Sequence, residues 1–242
     1  MHMNWFTGLS WMKQLAALMY IYAVHRIRIL LPMTNGTRIQ KQQWQHGTNR
    51  LTSGAGFRSI DGGDCKMMEV ETERLRLRYL RMEDAEAIYG WASDPRVTKY
   101  LTWNPHTDIS HTKKVLHRWI AYYRFQDYWR WGIERLDNHA LIGTIGVVGY
   151  RQKSPVISYT ISEECWGKGY MTEALSAAAR VLFAHGYHSL IAEAIDSNIG
   201  SNRVLQKCRF RLIGSRKDLL SSEKPEAVTI NTYRLKASEG KK

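Results

Sequence analysis

The run Glu164-Cys165-Trp166-Gly167-Lys168-Gly169-Tyr170-Met171-Thr172-Glu173-Ala174 carries the residue types best suited to chemistry in this chain. A strand-like stretch enters two glycines and leaves directly into a long amphipathic helix. Glycine lets a backbone turn tightly and come close to a ligand. A helix start adds unpaired N–H groups at the positive end of its dipole, a ready anion site. Lys168 contributes a mobile cation. The spacing is neither GxGxxG nor GxxxxGK[ST], so a dinucleotide or nucleoside-triphosphate loop is not indicated. Taken alone, a plain strand–helix connection accounts for the same residues.

A second constellation is Asn198-Ile199-Gly200-Ser201-Asn202-Arg203-Val204-Leu205-Gln206-Lys207-Cys208-Arg209-Phe210. Asn198 has the chemistry of a helix cap, and Val204, Leu205 and Cys208 fall on one apolar face. Asn198 and Ser201 are polar groups in the first turn of a helix that follows a strand, where ligands of open α/β sheets bind. The three cysteines, Cys65, Cys165 and Cys208, are too few and too scattered for a zinc site or a disulfide framework. No metal site is expected, and a reduced, cytoplasmic setting is.

The elements that must position these residues follow from periodicity. Thr72 to Arg81 alternates apolar and basic residues, which predicts a strand with one wet face. Glu83-Asp84 opens a helix through Ala92, and Ser110 caps a second with Val115, Leu116, Trp119, Ile120 and Tyr123 on one face. Strand-like runs follow at Tyr128–Leu136, Ala140–Tyr150 and Val156–Ser162. Met171, Ala174, Leu175, Ala178, Ala179, Leu182 and Phe183 mark the strongest helix, ended by Gly186. A strand at Ser189–Asp196, a short helix from Asn198 and strands at Phe210–Leu219 and Ala227–Leu235 complete the order βααβββαβαββ. That order describes one α/β (α+β) domain: a mixed, mostly antiparallel sheet of about seven strands flanked by about four helices.

Residues 1–66 differ in character. They hold 8 Lys/Arg and 2 Asp/Glu, within a chain of 242 residues and formal charge +13. Their one apolar stretch, Leu15 to Val24, is shorter than the ~20 residues a membrane span needs, and no cleavage site follows it. An amphipathic surface helix and a poorly structured extension both fit. The run Gly62-Gly63-Asp64-Cys65-Lys66-Met67 is also encodable as a ribosome-binding site and spacer before a start codon. Translation starting at Met67 or Met68 would make residues 1–66 upstream sequence. The domain then occupies 67–236, and 237–242 is a loose tail. The positive charge suits any anionic ligand; without aromatic-interleaved basic motifs, specific nucleic-acid binding is not expected.

The opening ETERLRLRYLRMEDAEAIY, the strand LIGTIGVVGY, WGKGYMTEA and NIGSNRVLQKCRF together resemble the GNAT family of acetyl-CoA-dependent N-acetyltransferases. The resemblance covers about residues 69–236, is closest to the ribosomal-protein N-terminal acetyltransferase (RimJ/RimL) type, and carries the elements in the family's order. It implies a single GNAT-like domain that uses acetyl-CoA as co-substrate. The turn Trp166-Gly167-Lys168-Gly169-Tyr170-Met171, with Thr172 after it, would hold the coenzyme pyrophosphate. Tyr159 and Ile161 would lie on the strand that pairs with the pantetheine arm, and Asn198 would bond the same arm. Arg203 is a candidate phosphate partner, or a solvated surface arginine.

The reaction so implied is attack of a neutral amine on the thioester, with a base to take a proton and an acid to protonate the departing thiolate. Leu205 stands where many members carry the tyrosine acid, so Ser201 is the candidate acid and Tyr159 its reserve. The branch's usual glutamate position is Val156, which cannot take a proton; Glu134 and Glu193 lie on neighbouring strands. An α-amine, with pKa of about 7.7–8.0 against ~10.4 for lysine, is partly neutral without a strong base. The favoured acceptor is therefore a protein N-terminus. A small amine (antibiotic, polyamine or metabolite) and a coenzyme-A-binding protein without transferase activity remain as alternatives. The family shapes its acceptor pocket near Leu101–Asp108, here with Trp103 and His106. Trp103, Trp119, Tyr122, Tyr123, Tyr128, Trp129 and Trp131 read as packing around the second helix. Monomer and dimer are both compatible with the sequence.

Overall fold

The computed structural model describes residues 68–125 and 127–237. The expected extension 1–66, the start at Met67 and most of the expected tail lie outside the described residues. Eight strands form one sheet: β1 (Val70–Glu71), β2 (Leu75–Arg78), β3 (Arg130–Arg135), β4 (Leu141–Arg151), β5 (Ser154–Ile161), β6 (Ser189–Ile195), β7 (Arg211–Leu219) and β8 (Ala227–Lys236). Their spatial order is β1-β2-β3-β4-β5-β6-β8-β7. Every neighbouring pair is antiparallel except β5–β6. The helices are α1 (Ala85–Ala92), α2 (Pro95–Thr98), α3 (Ile109–Tyr122), α4 (Tyr170–Ala184) and α5 (Ile199–Lys207). The expected mixed α/β sheet is present, with β1 and α2 beyond the expected elements. α2 arises because Pro95 sits at a first helical position, with Asp94 as the cap that accepts from the Arg96 N–H.

Two apolar layers flank the sheet. Leu75, Leu77, Trp131, Ile133, Ile145 and Val147 meet Ala174, Leu175, Ala178 and Leu182 of α4 on one side. Leu80 and Leu141 meet Ile88 and Trp91 of α1 and Leu116 of α3 on the other. β4 is covered on both faces from Leu141 to Val147, which is why it reads as a near-continuous apolar run. Trp129 and Trp131 belong to the α4 layer rather than packing around α3. Strand alternation sends Trp131 and Ile133 to the face opposite Gly132.

Two expectations about local chemistry are corrected. The basic face of β2 is not wet throughout: Arg78 is buried, held by Asp84 (2.8 Å) and by Glu134. Paired carboxylates let a charge sit where the alternation predicts solvent. The cap of α3 is Asp108, whose Oδ1 accepts from the Ser110 and His111 N–H groups at 2.8 and 3.2 Å. Gly186 does end α4 as expected. With φ of 90° it lets Gly186 N–H reach Phe183 O (3.0 Å) and Tyr187 N–H reach Leu182 O (3.2 Å), the paired bonds of a Schellman motif.

Candidate active site

The sheet opens between its two parallel strands. β5 pairs with β4 from Ser154 to Ile161, and β6 pairs with β8 along its whole length. β5 and β6 themselves pair only at Val156–Ile191 and Ile157–Ala192. Beyond these residues they diverge towards their carboxyl ends, where α4 and α5 begin. The Ser162 N–H donates to Ile142 O at 2.7 Å, on the β4 side. Alternation along the strand therefore turns the N–H groups of Tyr159 and Ile161 away from β4, into the opening.

Trp166, Gly167, Lys168 and Gly169 form the exposed turn at the end of β5. Gly167 and Gly169 adopt φ of 73° and 82°, the left-handed region that a side chain disfavours. A Cβ on Gly167 would meet nothing within 4 Å, so dihedral freedom and not space requires glycine there. The first backbone bond of α4 runs from Glu173 N–H to Gly169 O at 3.1 Å, and no side chain caps the helix. The N–H groups of residues 167–172 accordingly have no acceptor among the described residues. Such a row of unsatisfied donors at a helix start fits an anionic group. Trp166 turns its indole back to Ile161 O at 3.1 Å, locking the turn to the strand end. The Met171 side chain is in the core, leaving only its main chain to face a ligand. Thr172 O accepts from Ser176 Oγ at 2.8 Å and from Cys208 Sγ at 3.3 Å.

The junction after β6 is built differently. Asn198 Oδ1 accepts from the Ser201 N–H at 3.1 Å, so its amide donors are what it can offer a ligand. Asn202, which the sequence reading passed over, is the hub beneath it. Its Nδ2 donates to Ile195 O (2.9 Å), Asp196 O (3.2 Å) and Asn198 O (2.8 Å). Its Oδ1 accepts from Tyr233 Oη (2.7 Å) and Asn231 Nδ2 (3.3 Å). A polar residue three positions before Leu205, in line with the apolar face of the helix, is the sequence signal that could have found it. Across the opening, Tyr159 Oη and Ser201 Oγ lie 2.8 Å apart, so the two candidate acids meet. Burial pushes the Tyr159 phenol well above its ordinary value, with the Ser201 bond opposing; the group stays protonated. Arg203 is exposed, and Leu205 is buried.

The carboxylates on neighbouring strands are tied up. Burial raises Glu134, but hydrogen bonds from Arg78 and the charges of Arg78 and Arg76 outweigh it, and the net shift is downward. Glu193 is likewise raised by burial and lowered further by Arg216, Arg151 and Thr232. Arg151 lies 2.7 Å from it, and the Thr232 hydroxyl 3.0 Å. Each is held as an anion with its lone pairs engaged, and neither is a proton acceptor near neutral pH. His106 is buried by α3: its Nδ1 is 2.7 Å from Thr112 Oγ1, its ring stacks on His111 at 4.3 Å, and burial, then His111, lowers its pKa. Trp103 packs beside it, at 5.1 Å. Among the described residues, no group of three or more His, Cys, Asp or Glu is arranged to hold a metal. None of their helices is long and apolar enough to cross a membrane.

Residues 74–211 match the acetyltransferase (GNAT) domain family. The chain is 36% identical over 148 residues to the Uncharacterized N-acetyltransferase YoaA of Bacillus subtilis (strain 168), across 60% of this chain and 84% of that protein. Its fold is that of the Microcin C7 self immunity acetyltransferase MccE, solved with acetyl-CoA and AMP (TM-score 0.60, 18% identity, 68% of this chain and 93% of that one). It is equally that of RimL, a ribosomal alpha-N-protein acetyltransferase solved with coenzyme A (TM-score 0.61, 19% identity, 69% and 97%). With this sheet, the opening between β5 and β6 and the bare glycine turn, the chain belongs to the GNAT family of acetyltransferases, enzymes that carry acetyl from acetyl-CoA to an amine nitrogen.

Proposed function

We propose that this enzyme is of the RimJ/RimL type and acetylates the α-amine of a protein N-terminus in the cytoplasm. The observation that carries this reading is the state of its carboxylates. Val156 offers no base, and Glu134 and Glu193 are held ionised by arginines. The acceptor must therefore arrive already neutral, and at neutral pH an amine with pKa of about 7.7–8.0 has a neutral fraction hundreds of times that of a lysine at ~10.4. RimL, whose fold this chain shares, is by its name an enzyme of that acceptor class.

In this reading the N–H groups of residues 167–172 hold the coenzyme pyrophosphate, with Lys168 adding charge and the exposed Arg203 of α5 as a further candidate cation. The free edge of β5 at Tyr159 and Ile161 binds the pantetheine arm, joined by the Asn198 amide. Main-chain N–H groups of the opened strand stabilise charge developing on the thioester oxygen. The amine nitrogen bonds to the acetyl carbon as the carbon–sulfur bond breaks. The electron pair leaves with sulfur, and the Tyr159–Ser201 pair supplies its proton. The acceptor's surplus proton passes to water.

The fold shared with MccE, solved with AMP, favours one second reading, a small amine with a comparably low pKa. Thiol release from acetyl-CoA by the full chain separates the two. The acceptor panel holds peptides with free Ser, Ala or Met N-termini, an N-blocked lysine peptide, polyamines and aminoglycosides. Stimulation by free N-termini alone is expected. Stimulation by small amines alone overturns the acceptor assignment, and silence with coenzyme bound overturns catalysis on these amines.

A further inference from the structure

The bare turn is fastened from below by a residue the sequence reading gave no role. Arg74 stands immediately before β2. Its main-chain N–H donates to Glu173 Oε1 (2.9 Å), and its Nε donates to Glu173 Oε2 (2.8 Å). Its Nη2 lies 2.7 Å from the same oxygen, and its Nη1 donates to the Lys168 carbonyl at 3.0 Å. The guanidinium carbon sits 4.6 Å from the centre of the Tyr170 ring. Thr72 Oγ1 donates to Glu173 Oε1 at 2.6 Å, completing the grip. One side chain thus holds three positions, 168, 170 and 173, of the turn and the first turn of α4.

We propose that Arg74 is a positioning residue for the anion-binding turn, an inference that rests on that turn holding the coenzyme pyrophosphate. Two effects follow from its contacts. The first is orientation. In a trans peptide the carbonyl and the following N–H point in opposite directions. Drawing the Lys168 carbonyl towards Arg74 therefore turns the Gly169 N–H away from Arg74. Two left-handed glycines leave such a turn many alternative conformations, and the bond selects among them before the ligand arrives, which lowers the ordering cost of binding. The second effect is charge. Glu173 places a carboxylate in the first turn of the helix that would receive the pyrophosphate, and Arg74 neutralises it.

The test is titration of the full chain with coenzyme A and with pantetheine, which shares the arm but lacks the pyrophosphate. Arg74→Ala is expected to weaken coenzyme A about tenfold, the loss of roughly one charge-assisted bond, and to leave pantetheine unchanged. In turnover, KM for acetyl-CoA rises by the same factor while kcat holds. Arg74→Lys keeps a cation over Glu173 but cannot reach the Lys168 carbonyl as well, and recovers part of the loss. If Arg74→Ala does not fold, Arg74→Lys carries the test with the same selectivity. Equal weakening of both ligands, or no change in either, overturns the inference. Wild-type protein that binds coenzyme A no better than pantetheine overturns instead the assignment of the turn.

Discussion

Two strand-to-helix junctions stand side by side at the open end of the sheet, and they are built on opposite principles. After β5, six consecutive N–H groups from Gly167 to Thr172 have no acceptor among the described residues, and the helix has no side-chain cap. After β6, Asn198 caps the helix and the Asn202 amide donates from beneath to the carbonyls of Ile195, Asp196 and Asn198. Helix starts ordinarily satisfy such groups with side chains or water. A start left bare by two left-handed glycines forgoes that stability and keeps its donors for a ligand. The capped start spends its backbone on rigidity and presents side chains, Asn198 and Ser201. Under the proposed function the difference separates the work: the bare junction would hold the pyrophosphate, and the capped junction would place Asn198 at the pantetheine arm and Ser201 beside Tyr159.

Breaking the capped junction should have the largest effect. Asn202→Ala removes the partner of the buried Tyr233 hydroxyl and of the Asp196 carbonyl, while Ile195 O and Asn198 O keep main-chain donors, and should destabilise the protein by about 3 kcal/mol in a denaturant titration. Next comes the pair it aims. Tyr159→Phe combined with Ser201→Ala should lower kcat about a hundredfold while coenzyme affinity, read by titration, holds. Gly169→Ala should do the reverse. Its φ of 82° puts a side chain in the left-handed region at about 1–2 kcal/mol, so coenzyme binding should weaken about tenfold with kcat at saturation preserved. A loss of affinity in the Tyr159/Ser201 variant, or of kcat alone in Gly169→Ala, would erase the distinction.

The smallest effect concerns pH. Glu134, Glu173 and Glu193 all have folded values lowered from the ordinary 4.5. The stability they contribute is complete above that ordinary value and lost as pH falls through the lowered folded ones. His106, whose folded value is lowered from the ordinary 6.5 by burial, adds a loss of the same sign that begins as pH falls through that ordinary value. The denaturation midpoint should therefore decline in two stages, a small one from about pH 6.5 and a larger one below about pH 4.5. A midpoint flat from neutrality down to about pH 5 would contradict the buried His106.

What was legible in the sequence was local. Two glycines before a helix of period 3.6, a cap at Asn198 and the Gly186 stop each state their geometry within a few residues. What was missed is carried by contacts between distant positions. Arg74 reaches Lys168 and Glu173 across the fold, and nothing in an alternating strand marks which arginine will do so. Arg78 broke the wet-face expectation for the same reason, since the carboxylates that let it be buried come from the turn before α1 and from β3. The meeting of Tyr159 with Ser201 depends on the opening of β5 from β6, which no residue spacing states.

The central claim is that the chain supplies binding and an acid while the acceptor supplies its own neutral amine. Its most direct test is the pH dependence of kcat/KM with two peptides whose free N-termini differ in pKa by about one unit. The account predicts a unit-slope rise that levels at each peptide's own amine pKa, moving with the peptide. A single break at the same pH for both, carried by a group of the enzyme, would contradict it.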